Sequence, residues 1–140
     1  MEKYQKIGVT AFILNDNHQV LLIRRSDKEK FLPNYYEMPG GKLEFGESME
    51  EALKREIREE VNLEIELLKI YSSFSYISKN GSRHTIDIQC YAKLTDNNEG
   101  LKLSDAHDDY VWVSENDVSN FLISDLMKES IIKGFDNINK

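Results

Sequence analysis

Length, composition and charge already exclude several classes of protein. The chain has 140 residues, the size of one ordinary domain, so we expect a single domain over residues 1–140. Its 40% hydrophobic residues are enough for a packed core, which argues against intrinsic disorder. The formal net charge of −7 leaves no broad cationic face for a long phosphate backbone, so long nucleic acids are not expected partners.

The sequence also indicates a compartment. No run of apolar residues is long enough to cross a membrane, and the first residues, Met1 to Lys6, are not followed by the apolar core of a signal peptide. The single cysteine, Cys90, cannot form an internal disulfide and lies in an alternating apolar stretch, which is typical of a buried thiol. We therefore expect a cytoplasmic protein without a membrane partner, and a homodimer is left open.

The first third of the chain reads as strands and loops. The predicted elements are a strand at Ile7–Leu14, a turn at Asn15–Asn17, a strand at Val20–Ile23 that ends in Arg24 and Arg25, a surface loop at 26–35 and a short segment at Tyr36–Met38. Pro39, Gly40 and Gly41 stop that segment, and a loop through Gly46 follows.

The middle of the chain changes to helical spacing. Apolar residues recur at steps of three and four from Met49 to Val61. Ser48 is the predicted N-cap, and Glu51 stands where it completes a capping box. Asn62 is the predicted left-handed residue that ends the helix.

The last part mixes strands and short helices. A long hairpin is predicted from Ile65–Ile77 and His84–Leu94, with Asn80 and Gly81 at its turn. The remaining predicted elements are a polar loop at 95–109, a strand at Tyr110–Val113, a short helix capped by Ser114 and a last helix capped by Ser124 and ending near Phe135. Helices that alternate with strands and hairpins predict an α/β fold with a mixed β-sheet packed between helices.

Three glutamates in the first helix carry the strongest chemical signal. Glu56, Glu59 and Glu60 stand at i, i+3 and i+4 and therefore fall on one side of the helix. Local pairing of Lys54, Arg55 and Arg58 with glutamates of the same helix (Glu50, Glu51 and Glu59) would make this an ordinary charged surface. Hard oxygen ligands in a cluster also suit Mg²⁺ or Mn²⁺. The glycine loop in front of the helix, which allows close approach of the backbone, favours the metal site.

The spacing of these residues resembles a known signature. From Gly41 the chain reads Gly, five residues, Glu47, seven residues and then the run from Arg55 to Leu63, which resembles the box of the Nudix hydrolases. Asn62 stands where the family has Gly, and Asn is the next best residue for a left-handed helix stop. The resemblance implies a Nudix-like α/β/α sandwich.

The resemblance also implies roles for individual residues. Glu56, Glu59 and Glu60, with the backbone carbonyl of Gly40, match the metal ligands, and the same glutamates match the general base, without indicating which of them it is. Arg55 matches a catalytic-site residue that would orient a carboxylate across one turn, with Glu59 as the expected partner. Mg²⁺ is the implied cofactor, with Mn²⁺ as an alternative.

Further candidates lie outside the box. Arg25 and Lys42 match positions that face the substrate in this family. An additional late carboxylate is left open among Asp105, Asp108 and Asp109. Several others are expected to be structural: Arg24, Arg83, His84 and His107 as exposed or loop residues, and Phe74, Tyr76 and Tyr91 as core.

The resemblance implies a metal-dependent pyrophosphohydrolase that acts on a small nucleotide. A nucleoside triphosphate cleaved to monophosphate and pyrophosphate is the leading expectation. The alternatives are an ADP-ribose or nucleotide-sugar pyrophosphatase and a Nudix domain that binds a nucleotide without turnover. Pro33 and Pro39 both precede the box, whereas ADP-ribose hydrolases of the family carry a marker proline after it. The complete set of glutamates argues against a non-catalytic domain.

Overall fold

The structure is a computed structural model that describes residues 2–95 and 98–138. Residue 1 of the expected N-terminal segment and residues 96–97 of the predicted polar loop lie outside the described residues. The strands are β1 (Tyr4–Ile13), β2 (Val20–Arg25), β3 (Tyr36–Glu37), β4 (Gly40–Lys42), β5 (Ile65–Ser78), β6 (Arg83–Leu94) and β7 (His107–Val113). The helices are α1 (Met49–Val61) and α2 (Asp125–Asn137), with 3-10 turns at Asn98–Gly100 and Glu115–Asn120.

Within the described residues the strands form two sheets instead of the single sheet expected. The first sheet has the order β4-β1-β6-β5, in which β1 and β6 are parallel and the other neighbours are antiparallel. The second sheet, β3-β2-β7, is antiparallel. β1 and β2 meet at the bridge between Leu14 and Val20 and continue into different sheets. Because β2 is buried along Val20–Ile23, both of its faces must be covered.

The core lies in two clusters on opposite faces of these sheets. On one face α1 buries Ala52, Leu53, Ile57 and Val61 against residues of β1, β2 and β6. On the other face α2 packs with Phe12, Leu22, Val113 and neighbouring residues. The sheets therefore lie between α1 and α2, and the predicted α/β sandwich is confirmed. Cys90 is buried in the first cluster, as expected.

Most predicted boundaries hold to within a few residues. The hairpin forms with Lys79, Asn80 and Gly81 at positive φ in its turn. β7 begins at His107, three residues before the predicted start, so the expectation that His107 is a loop residue is wrong. Ser114 and Ser124 occupy the N-cap positions, but neither side chain makes the capping hydrogen bond. Neither helix in the described part of the chain is long and apolar enough to span a membrane.

Candidate active site

The ends of α1 are fixed by local hydrogen bonds. The Ser48 side chain accepts a hydrogen bond from the Glu51 N–H, which confirms the predicted N-cap. Asn62 adopts the left-handed conformation at φ 58° and its N–H bonds to the Arg58 carbonyl. The Asn62 side chain also donates to the carbonyl of Gly100, at 2.8 Å. Glycine could not make this last bond, so Asn62 both ends the helix and ties down the loop before β7.

Arg55 is the centre of an ion-pair network at the edge of the site. It bonds both carboxylate oxygens of Glu47, at 2.7 and 2.8 Å, and donates to Glu56 at 2.9 Å. Its contact with Glu59 is longer, at 3.3 Å, so the expected main partner is replaced by Glu47. A further bond reaches the carbonyl of Lys42. The guanidinium lowers the pKa of Glu47 to about 2, and the carboxylates raise the pKa of Arg55.

Two glycines make room for two of the box glutamates. Gly40 has φ 154°, and a Cβ there would overlap the carbonyl of Val9. Its N–H donates to Glu60 Oε1 at 2.7 Å. A Cβ on Gly41 would overlap the carboxylate of Glu56. The glycine pair therefore lets α1 lay these two carboxylates directly against the backbone of β4.

The box glutamates differ in environment. The side chains of Glu56 and Glu60 are 14% and 16% exposed, whereas that of Glu59 is 59% exposed. Burial raises the pKa of Glu60 well above its ordinary value, and the nearby Glu37 carboxylate raises it further. Burial also raises the pKa of Glu56, against the opposing effect of Arg55. Of the three glutamates predicted as ligands, the structure thus buries Glu56 and Glu60 at the cavity and leaves Glu59 nearer the solvent.

The donor set at this point fits a divalent cation. Glu56 and Glu60 supply hard oxygen ligands that are largely buried from water. A bound cation would offset the free-energy cost of burying their negative charge. In this arrangement of the described side chains, no group of three or more His, Cys, Asp or Glu residues forms a complete metal site. Waters and a backbone carbonyl commonly complete the shell of Mg²⁺ in proteins, so two carboxylates are a compatible nucleus.

Glu56 and Glu60 line a large open cavity of about 850 Å³. It is lined by both helices and both sheets, and its cationic side chains are Lys6, Arg25, Lys28, Lys30, Lys79 and Arg83. Arg25, a predicted substrate contact, lines the cavity, where it donates to the carbonyl of Phe31 and pairs with Glu29 and Glu37. Lys42 is exposed and does not line the cavity. Its contribution to the site is the backbone carbonyl that holds Arg55.

Several cavity residues were not expected from the sequence. Arg83, Phe74 and Tyr76 line the cavity, although they were predicted to be exposed or core, whereas Tyr91 is core as predicted. Phe31 stacks on Tyr76 with the rings 5.9 Å apart and nearly parallel. The strand alternation placed these aromatic side chains on one face correctly but could not indicate that the face is open.

His107 and Glu37 form a buried pair beside the glutamates. The His107 side chain is 2% exposed, and its Nε2 lies 2.9 Å from Glu37 Oε2. Its Nδ1 lies 4.0 Å from Glu60 Oε2 and has no hydrogen-bond partner in the described structure. The acidic residues around His107 are typical of a solvated loop. The sequence therefore did not indicate that β7 begins at His107.

The late aspartates lie elsewhere. Asp108 pairs with Arg24 at 2.7 Å, which gives Arg24 a partner on the surface, and Asp109 accepts a hydrogen bond from the Tyr36 hydroxyl. Asp105 is exposed. None of the three aspartates lines the cavity. Asp125 at the start of α2 does line it, and so does Asp87 on β6, whose pKa burial raises to about 6. Its sequence signal is the alternation of Thr85, Asp87 and Gln89 with apolar residues.

Comparison with known proteins agrees with the fold and with the box. A family model for the NUDIX domain matches residues 4–132. The nucleoside triphosphatase NudI of Klebsiella pneumoniae is 32% identical over 124 residues, covering 84% of this chain and 87% of that protein. The 8-oxo-dGTP diphosphatase of Escherichia coli is 34% identical over 77 residues, covering 54% of this chain and 57% of that protein.

Solved structures agree with the same assignment. The MutT protein of Methanosarcina mazei superimposes with a TM-score of 0.83 and 27% identity, covering 100% of this chain and 99% of that one. The Escherichia coli ORF135 protein superimposes with a TM-score of 0.72 at 24% identity, covering 97% of this chain and 91% of that one, and supports the fold. The chain therefore belongs to the Nudix family of hydrolases, enzymes that act on pyrophosphate bonds.

Proposed function

We propose that this Nudix hydrolase cleaves a nucleoside triphosphate to a nucleoside monophosphate and pyrophosphate. The observation that carries the proposal is that two buried box glutamates and a set of cationic side chains meet in one cavity. The carboxylates of Glu56 and Glu60 line it together with six cationic side chains, among them Arg25, Lys28 and Lys30. In a chain with a net charge of −7, cationic side chains in the same cavity as the box glutamates fit a small polyphosphate substrate. The similarity to the nucleoside triphosphatase NudI supports the same substrate class.

Mg²⁺ is the proposed cofactor, with Mn²⁺ as the alternative, and Glu56, Glu59, Glu60 and the Gly40 carbonyl are its proposed ligands. When bound, such a cation supplies neutralisation of phosphate charge and a more acidic water. Glu59 would have to turn from Arg55 towards Glu56 and Glu60, and its exposed position leaves it room to do so. The proposed substrate contact of Lys42 likewise requires its exposed side chain to reach round the edge of β4.

The residues of the chain divide the reaction between them. A water attacks phosphorus, a box glutamate accepts the proton, and the bond between the α and β phosphates breaks to release pyrophosphate. Glu60, whose pKa is raised by burial, is suited to hold that proton. Arg55 orients Glu56, and Arg25 binds the phosphates within the same cavity.

The test is hydrolysis of a panel of substrates with Mg²⁺, in which nucleotide products, phosphate and pyrophosphate are resolved separately. We expect pyrophosphate and a nucleoside monophosphate from at least one nucleoside triphosphate. Cleavage of ADP-ribose or a nucleotide sugar alone would show that the proposed substrate class is wrong. The proposed reaction, hydrolysis of a pyrophosphate bond, would still hold. No turnover, combined with a rise in melting temperature on adding Mg²⁺ and nucleotide, would indicate a binding domain.

A further inference from the structure

β6 presents an unusual row of polar side chains towards the cavity side of the first sheet. Thr85, Asp87 and Gln89 alternate with apolar residues and therefore share one face of the strand. Thr85 and Gln89 are 2% and 0% exposed, and Asp87 is partly exposed and lines the cavity. Polar side chains are rarely placed in such a position unless they are satisfied or used.

Some acceptor oxygens in this row receive no hydrogen bond from the described protein. Asp87 Oδ1 accepts from Thr10 Oγ1 at 3.1 Å and from Gln89 Nε2 at 2.8 Å. The Gln89 amide nitrogen also donates to the Asp87 carbonyl, so both of its hydrogens are used. Gln89 Oε1 has no partner among the described residues, and no described side chain donates to Asp87 Oδ2. Because Gln89 is fully buried and Asp87 lines the cavity, Asp87 Oδ2 is the oxygen of this row that can accept a hydrogen bond from a bound molecule.

The position of Asp87 separates it from the reacting end of the cavity. In the register of the first sheet, Lys42 of β4, Gly8 of β1 and Asp87 of β6 are neighbours. Two strand spacings put Asp87 about 10 Å from β4, against which Glu56 and Glu60 lie. That distance is comparable with the length of a ribose and base. A phosphate would be repelled by the carboxylate, so the uncharged part of a nucleotide fits here better.

The neighbours of Asp87 also suit a nucleobase. Phe74 is paired with Asp87 across β5 and β6, and Tyr76 follows on the same face, so both rings flank the carboxylate. Aromatic rings stack on any base without regard to its sequence identity. The group that distinguishes bases at this point is then the carboxylate, which accepts hydrogen bonds and donates none when ionised.

We infer that Asp87 is a specificity-determining residue that accepts a hydrogen bond from an amino group of the nucleobase. The enzyme then prefers nucleotides with an amino group on the pairing edge to those that lack it. This inference rests on the proposed hydrolysis of nucleoside triphosphates. Other carboxylates outside the box line the same cavity: Glu29 and Glu37, which pair with Arg25, and Asp125 at the start of α2, which is the competing acceptor tested below.

The experiment compares substrates that differ in one amino group. Wild-type kcat/KM is measured for GTP against ITP and for CTP against UTP. We expect the amino-bearing member of at least one pair to be favoured about tenfold or more, as for a hydrogen bond to a charged group. In Asp87→Asn the bonds to Oδ1 remain possible while Oδ2 becomes a donor, so that preference should fall to about one or reverse.

Two variants make the outcome specific. Gly8→Ala places a methyl group 3.3 Å from Asp87 Oδ2 without changing charge, and should weaken the same preference. Asp125→Asn tests the competing acceptor. Equal turnover of both members of each pair by the wild type overturns the inference and leaves the proposed function intact. A preference that is lost in Asp125→Asn and kept in Asp87→Asn also overturns it.

A binding measurement separates the inference from the proposed function. Dissociation constants of GMP, IMP, CMP and UMP are measured by calorimetry with EDTA present, so that neither metal nor turnover contributes. Tighter binding of the amino-bearing member of a pair, reduced about tenfold or more in Asp87→Asn, supports the inference even if no triphosphate is hydrolysed. Equal binding of both members of each pair by the wild type and by Asp87→Asn overturns it.

Discussion

The glutamates of α1 and the aspartate of β6 reach the same cavity by different routes. Glu56 and Glu60 are fixed by sequence-local features, since one helix face carries them and two adjacent glycines admit them. Asp87 reaches the cavity through long-range strand pairing and is held by Thr10 of another strand. Local patterns therefore identify the glutamates of the proposed site, whereas the position of Asp87 in the same cavity depends on strand pairing.

The largest expected effect is on the helix side of this comparison. Glu60→Gln keeps the shape of the side chain and an oxygen for the Gly40 N–H, but removes the charge and the proton acceptor. We expect kcat to fall by about 10²–10⁴-fold without loss of the fold. Glu59→Gln should also lower kcat by orders of magnitude, if Glu59 joins the site when metal binds. Steady-state kinetics and circular dichroism measure the two quantities.

A matched control lies on the same helix. Glu50 pairs with Lys54 on the surface and does not line the cavity. Glu50→Gln should therefore keep kcat within about twofold, since surface ion pairs contribute little. If Glu60→Gln turned over substrate at the wild-type rate, the proposed catalytic role of the box glutamate Glu60 would be wrong.

The second prediction compares two arginines of α1. Arg55→Ala leaves the buried Glu56 without its cationic partner, so we expect a fall in kcat of about 10–100-fold and a loss of about 1–3 kcal/mol in the free energy of unfolding. Arg58, which pairs with the exposed Glu64, is the control, and Arg58→Ala should change the free energy of unfolding by less than about 0.5 kcal/mol. Urea denaturation and kinetics on both variants check this. Equal effects would mean that Arg55 is an ordinary surface cation.

The same contrast explains what the sequence could predict. The box, the caps of α1, the hairpin and the α/β class follow from spacing and turn residues, which act within a few positions of the chain. The division into two sheets, the burial of His107 and the exposure of Tyr76 in the cavity depend on which strands pair. For His107, three aspartates nearby suggested a solvated loop, and pairing with β2 overrides that local preference. Lys42 matched a substrate position, but its direction depends on the edge that β4 occupies.

The third prediction concerns pH and the strand side of the comparison. Burial, opposed by hydrogen bonds from Thr10 and Gln89, raises the pKa of Asp87 from 3.8 to about 6. The folded protein therefore binds this proton more tightly than the unfolded chain does, and the stability contributed by the protonated carboxyl is lost as pH rises from about 4 to 6. Asp87→Asn has no such proton. Its free energy of unfolding should exceed that of the wild type increasingly over this range, by at most about 3 kcal/mol above pH 6.

Urea denaturation of both proteins at pH 4.5, 6 and 8 measures this difference. A difference that stays constant across the three pH values would mean that Asp87 has its ordinary pKa in the folded protein. A difference that shrinks as pH rises would mean that the folded protein favours the charged form. Either result would mean that the Asp87 carboxylate contacts water or Lys6 more closely in solution than it does in the structure.

The smallest expected effect is at the end of α1, where the chain departs from the family signature. Asn62→Gly relieves the strain of the left-handed conformation, which stabilises the folded protein. It also raises the conformational entropy of the unfolded chain and removes the hydrogen bond to the Gly100 carbonyl, so these contributions to the free energy of unfolding nearly cancel. We expect a change in the free energy of unfolding of less than about 1 kcal/mol and no change in kcat. Asn62→Ala retains the strain and loses the bond, and should destabilise by about 1–2 kcal/mol. If Asn62→Gly were instead the more damaging substitution, the bond to Gly100 would be worth more than helix termination, and the loop before β7 would depend on this one side chain.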